Sequence, residues 1–172
     1  MTGHGAVVWI TGLPASGKST LAALLQERLA GAGRTAALLD SDAVREALVP
    51  RRSYRPEERD AFYATLGRLA ALLSAQGLLV LVAATAPRRE HRDEARRLAP
   101  RFVEVFVQTS ADECAHRDTK GLWERARSGE IANLPGFGTP YEPPASAEVT
   151  ALGGQDLEAV ERILMLLELP TP

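Results

Sequence analysis

The sequence predicts a three-layer α/β fold with a mainly parallel central sheet. Three observations carry this: four apolar runs without polar alternation, helical stretches between them, and a glycine-rich turn where the first run meets the first helix. A chain of 172 residues, 45% of them hydrophobic, can bury one sizeable core and is too short for two. Residues 1–172 are therefore expected to form a single domain.

The first run, "AVVWITG" from Ala6 to Gly12, suits a strand buried on both faces, with Trp9 in the core. "KSTLAALLQERLAGAG" then places Leu21, Leu24, Leu25 and Leu29 at helical spacing, ending in glycines that accept a left-handed cap. "TAALLD" from Thr35 to Asp40 is the second strand. A long helix opens at Pro56, carries Glu57 and Glu58 in its first turn, and aligns Phe62, Leu66, Leu69 and Leu73 until about Gly77. "LLVLVAAT" from Leu78 to Thr85 and "FVEVFVQT" from Phe102 to Thr109 complete the strands, with the charged helix "REHRDEARRL" between them. On that helix Arg88, Arg89, Arg92, Arg96 and Arg97 alternate with Glu90, Asp93 and Glu94, which reads as a solvated, ion-paired face. Arg88 and Arg89 stand apart because they follow a strand end near the expected site. From about Lys120 to Pro144 glycine and proline punctuation replaces periodicity, as in a functional lid or binding loop. The tail places Leu157, Val160, Ile163, Leu164 and Leu167 at helical spacing for packing on the sheet.

Chemistry concentrates in "GLPASGKST". Gly12, Gly17, Lys18 and Ser19 meet the G-x-x-x-x-G-K-[ST] pattern between an expected strand and an expected helix, the context this phosphate-binding loop needs. Its backbone N–H groups, from Ala15 and Ser16 to Thr20, turn toward phosphate oxygens at a helix N-terminus. Lys18 reaches the β- and γ-oxygens, and Ser19 is the candidate Mg²⁺ ligand. Asp40 and Asp42 emerge on the same sheet edge, where carboxylates can hold metal-bound water or take a proton from an attacking hydroxyl; one of them can equally cap a helix. Arg45, about one turn beyond Asp42, can face an anionic acceptor.

Lys and Arg total 20 against 22 Asp and Glu, so no strong field gathers nucleic acid or a membrane surface. No signal-peptide pattern stands before the first strand, and no apolar run approaches the roughly 20 residues of a membrane span. With Cys114 as the only cysteine and expected buried, the reading is a cytoplasmic protein without nucleic-acid or membrane partners. His4, His91 and His116 lack metal-ligand spacing and read as structural or surface residues.

Four segments together resemble the adenylylsulfate kinase family of P-loop kinases: "WITGLPASGKST", "LLDSDAVR", "EVFVQTSADECAHRDTKGLWERARSGEI" and "PYEPP". The resemblance implies a P-loop NTPase fold and transfer of phosphate from Mg-ATP to the 3′-hydroxyl of adenosine 5′-phosphosulfate, a small anionic acceptor. It implies Arg117 near the adenine, Lys120 in a lid over the phosphates, and an acceptor pocket walled by Asp42, Arg45 and Arg59. Tyr54 stands where the family has a pocket-wall Phe. Other acceptor positions depart from the family: Phe62 replaces an Asn, Leu134 a stacking Phe, Ala132 a Lys, and Ala84 lies where an aromatic is lost. Phe137 is the candidate for a displaced ring, and Trp123, in place of a lid Tyr, for packing the closed lid. Kinases of this kind are often dimers, so a homodimer is admitted. The alternatives are a kinase of another small hydroxylated metabolite or nucleotide conjugate and, behind it, an ATP-binding regulatory module.

Overall fold

In the computed structural model, which describes residues 5–168, β1 (Ala6–Thr11) is the middle of five strands, each parallel to its neighbours. With β2 (Ala36–Asp40), β3 (Leu79–Ala83), β4 (Phe102–Val107) and β5 (Val149–Ala151), the order is β2-β3-β1-β4-β5. All six β1 residues are buried because both faces are covered, and successive side chains enter different cores. Val8 and Ile10 pack with Leu21 and Leu25 of α1 (Lys18–Gly31) and with Val160, Ile163 and Leu164 of the C-terminal helix. Val7 and Trp9 pack on the opposite side with Phe62, Leu66 and Ala70 of α3 (Pro56–Ala75) and with Ala95. The three layers expected from the sequence are thus present.

Between β2 and α3 runs α2 (Ser41–Ala47), and α4 (Arg89–Leu98) joins β3 to β4. After β4 come α5 (Ala111–Arg117) and α6 (Leu122–Arg127), and α7 (Leu157–Leu166) follows β5. The chain steps from β1 out to β2, returns through β3, and then crosses β1 to β4. Connections therefore diverge at the carboxyl end of β1, where open α/β sheets form their binding crevices.

The charged helix departs from the expected solvated face. Arg92 is buried, donating to Glu104 Oε1 at 2.8 Å, Ala86 O at 2.5 Å and Glu142 O at 2.6 Å. Arg96 binds Glu148 at 2.7 Å. The reason is Glu104 on β4: its buried carboxylate needs a partner, and α4 supplies it. Arg88 pairs with Asp60 and Glu90, while Arg89 grips Glu142 and Pro143, and neither lines the cleft.

His91 is buried against Tyr63 and bonded to Asp60 at 2.7 Å, and His116 is exposed; His4 lies outside the described residues. Cys114 is fully buried, and burial pushes its thiol pKa up. Among the described residues no helix is long and apolar enough to cross a membrane.

Candidate active site

The loop leaving β1 is shaped by close approaches. A Cβ on Gly12 would lie 2.7 Å from Ser16 Oγ and 2.8 Å from Val107 O, and at Gly17 (φ 106°) it would lie 2.6 Å from Gly154 N. Only glycine fits there. Ala15 takes a left-handed φ of 64°, a conformation costly for a residue with a side chain. Thr109 Oγ1 anchors the loop from β4 by donating to Ser16 O at 2.9 Å. The first turn of α1 holds no acidic residue, leaving its positive end to face the cleft.

Lys18 Nζ donates to Gly12 O at 3.1 Å and Leu13 O at 2.7 Å. Burial of this ammonium lowers its pKa to about 8, against the opposing pull of Asp42 and Asp40. Ser19 Oγ donates to Asp40 Oδ2 at 2.6 Å. Asp40 also caps α2, its Oδ1 accepting from Asp42 N at 3.0 Å and Ala43 N at 3.5 Å. Of the roles left open by the sequence the cap is observed: it fixes where the carboxylate points and leaves the other oxygen to meet Ser19. A hydroxyl beside a carboxylate is an oxygen donor set suited to a hard cation such as Mg²⁺.

Asp42 is bound from two sides. Lys120 Nζ donates to its Oδ2 at 2.5 Å, and Tyr54 Oη to its Oδ1 at 3.4 Å. Partial burial raises its pKa, but Lys120, Tyr54 and Lys18 together outweigh burial and hold the carboxyl below the ordinary Asp value. Asp42 is thus an ionised carboxylate, able to orient a hydroxyl and to receive a proton as charge leaves that oxygen.

Arg45 and Arg59 are 2% and 7% exposed, yet both line the cleft. Arg45 lies between the rings of Tyr54 and Phe62, and Arg59 donates to Asn133 O at 2.9 Å. Asn133 Nδ2 donates in turn to Tyr54 O at 2.9 Å, tying the loop after α6 to the segment before α3. Trp123 Nε1 donates to Pro14 O at 3.0 Å, so α6 also rests on the glycine-rich loop. Beneath this contact Leu134, Cys114, Trp123 and Ala126 form a small core against which Leu13 packs.

One cleft of about 1560 Å³ joins these parts. Ala15, Gly17, Lys18, Ser19 and Thr20 line it, as do Asp40, Asp42, Arg45, Tyr54 and Arg59. Arg117, Lys120, Ala132 and Leu134 line it too. Gly12 and Ser16 are buried behind the loop and shape it without lining the cleft. Phe62 is fully buried in the core and reaches the cleft only through Arg45, since the amphipathic stripe of α3 turns it toward the sheet. Phe137 sits half-exposed on a tight turn closed by Gly136 N to Thr139 O at 2.7 Å; it does not line the cleft and supplies no displaced ring there.

Gly153, Gly154 and Asn133 also line the cleft and were not singled out in the sequence. The "GG" dipeptide after β5 was the available signal for the first two.

The family model described as adenylylsulphate kinase matches residues 4–151. The chain is 40% identical over 161 residues to an adenylyl-sulfate kinase of Rippkaea orientalis, covering 94% of this chain and 88% of that one. It is 42% identical over 164 residues to an adenylyl-sulfate kinase of Vibrio vulnificus, covering 94% and 78%. Among solved structures, the Mycobacterium tuberculosis APS kinase CysC in complex with AMPPNP and APS superposes with a TM-score of 0.88 at 36% identity, covering 96% of this chain and 98% of that one. A gluconokinase from Sinorhizobium meliloti shares the fold at 20% identity and a TM-score of 0.61, covering 96% and 93%.

Proposed function

Because the chain belongs to the adenylylsulfate kinase family and is a phosphotransferase acting on an alcohol group, we propose that it moves the γ-phosphoryl of ATP to the 3′-hydroxyl of adenosine 5′-phosphosulfate, giving 3′-phosphoadenosine 5′-phosphosulfate and ADP. The observation that carries this reading is a single cleft lined by the phosphate loop, the Asp42 carboxylate, and two nearly buried arginines.

The residues divide the work. Lys18 leaves the carbonyls of Gly12 and Leu13 for the β- and γ-phosphate oxygens, and the N-terminus of α1 supports the same charge. Ser19 and Asp40 are the residues that would hold Mg²⁺, and the bound ion would supply positive charge beside the transferring phosphoryl. Arg117 lies by the adenine of ATP. Asp42 orients the acceptor hydroxyl; as the new O–P bond forms and the bond to ADP breaks, the hydroxyl proton passes to its carboxylate. Lys120 exchanges Asp42 for phosphate oxygens, a small cost because both side chains are more than half exposed. Arg45 and Arg59 meet the acceptor's anionic group, with Tyr54 as a wall.

We read the chain as one domain with residues about 120–144 as its lid, working in a reducing cytoplasm where Cys114 stays a thiol. A coupled ADP assay with adenosine 5′-phosphosulfate beside a panel of nucleotides and hydroxylated metabolites tests the acceptor. ADP release that requires adenosine 5′-phosphosulfate supports the proposal; release that requires only another compound reassigns the acceptor; release indifferent to every compound indicates a regulatory ATPase.

A further inference from the structure

Arg45 is held in an unusual way for so deeply buried a cation. Its Cζ lies 3.7 Å from the centroid of the Phe62 ring and 4.3 Å from that of Tyr54. Nη1 donates to Ser53 O at 2.9 Å and, at 3.5 Å, to Arg52 O. Among the described residues no carboxylate forms an ion pair with it, and Nε is buried without a hydrogen-bond partner. Burying a guanidinium without a counter-ion is expensive, and two ring faces offset only part of that cost. Arg45 lines the cleft, so its unpartnered donors are available to a ligand bound there. Charge-assisted hydrogen bonds from a planar fork suit a sulfate or phosphate group.

Phe62 contributes differently from every cleft-lining residue. It is fully buried on α3 and cannot touch an acceptor, yet its ring is the nearer of the two that flank Arg45. We infer that Phe62 is a positioning residue for the acceptor: its ring fixes the Arg45 guanidinium against Tyr54, so that the free donors of Arg45 face the acceptor's anionic group. This rests on the proposed acceptor. Arg45 is otherwise on a seven-residue helix and held only by backbone carbonyls and the half-exposed Tyr54 ring, so removing the nearer ring frees the guanidinium to tilt.

The test is a cycle of Phe62→Leu, Arg45→Lys and the double variant, with steady-state constants for both substrates and melting temperatures. Phe62→Leu is expected to raise the KM for adenosine 5′-phosphosulfate about five- to thirtyfold, the span from an exposed to a desolvated cation–π contact, with kcat and the KM for ATP within about twofold. In the Arg45→Lys background, which keeps the charge but not the planar fork, the same change is expected to move that KM less than about twofold. A purely structural Phe62 would lower the melting temperature while leaving the acceptor KM unchanged, or raise it equally in both backgrounds; either result overturns the inference. Phe62→Met, an unbranched chain that adapts to the cavity, replaces Leu if that variant does not fold. A parent enzyme with no turnover of adenosine 5′-phosphosulfate overturns the proposed acceptor and this inference together, whereas turnover without the KM split overturns this inference alone.

Discussion

Lys120 Nζ lies 2.5 Å from Asp42 Oδ2, so a cation from the segment after α5 and a carboxylate from α2 are bonded directly across the cleft. Their side chains are 64% and 53% exposed, and such a pair is worth at most about 1 kcal/mol, which substrate can exchange for its own contacts. Asp42→Asn keeps the shape but cannot receive the hydroxyl proton. Turnover is expected to fall by about 10²–10⁴, while ATP affinity, read by nucleotide titration, changes less than about twofold. Retained turnover would remove Asp42 from the reaction.

The Lys18 pKa of about 8, against an ordinary 10.5, makes ATP capture sensitive to alkali. Above pH 8 the empty enzyme loses the ammonium proton, so kcat/KM for ATP is expected to fall toward tenfold per pH unit. Bound phosphates favour the protonated form, which moves the corresponding limb of kcat to higher pH. The stability effect has the opposite sign. Between about pH 8 and 10.5 the unfolded chain holds more protons than the folded one, so the cost of enclosing the charge, fully present below 8, is relieved as pH rises. Relative to Lys18→Met, the parent should gain stability across this window in denaturant titrations.

Asp40 combines a helix cap with a contact to Ser19, and two substitutions separate these roles. Asp40→Asn keeps a good capping side chain but loses the charge. It should raise the Mg²⁺ concentration for half-maximal activity several-fold with little change in melting temperature. Asp40→Ala should raise it as well and also destabilise the protein by about 1 kcal/mol. Equal Mg²⁺ requirements in all three proteins would exclude Asp40 from the metal site.

Long periodic segments made the layers legible in the sequence. Val7 to Ile10 read as doubly buried strand because burial is continuous over the whole element, and Leu21 to Leu29 as a core-facing helix because burial recurs at helical spacing. β5 was missed because three residues, Val149 to Ala151, carry no periodicity, and they pair with β4 only through tertiary packing. The phosphate loop was legible because its chemistry is local. The acceptor side was legible by residue type but not by arrangement: Phe62 lies one turn of helix from Arg59, yet it faces the core while Arg59 faces the cleft. Arg92 was misread for a related reason, since its partner Glu104 stands on another element.

Gly154 is the clearest case of a residue whose importance appears only in space. A Cβ there would lie 2.7 Å from Thr20 Cβ and 2.8 Å from Gly17 O, pressing on the phosphate loop from behind. Overpacking of this kind costs about 1–3 kcal/mol. Gly154→Ala should therefore raise the KM for ATP by about tenfold, with the acceptor KM nearly unchanged. An unaltered KM for ATP would show that the loop yields without loss of phosphate binding.

The central claim is transfer of phosphate to one particular hydroxyl. The direct measurement is to incubate the enzyme with ATP labelled in its γ-phosphate, Mg²⁺ and adenosine 5′-phosphosulfate, and to identify the labelled product by chromatography and mass. The account predicts label on the 3′-oxygen of the acceptor in one-to-one ratio with ADP. Label released only as inorganic phosphate, or found only on a different acceptor, would contradict it.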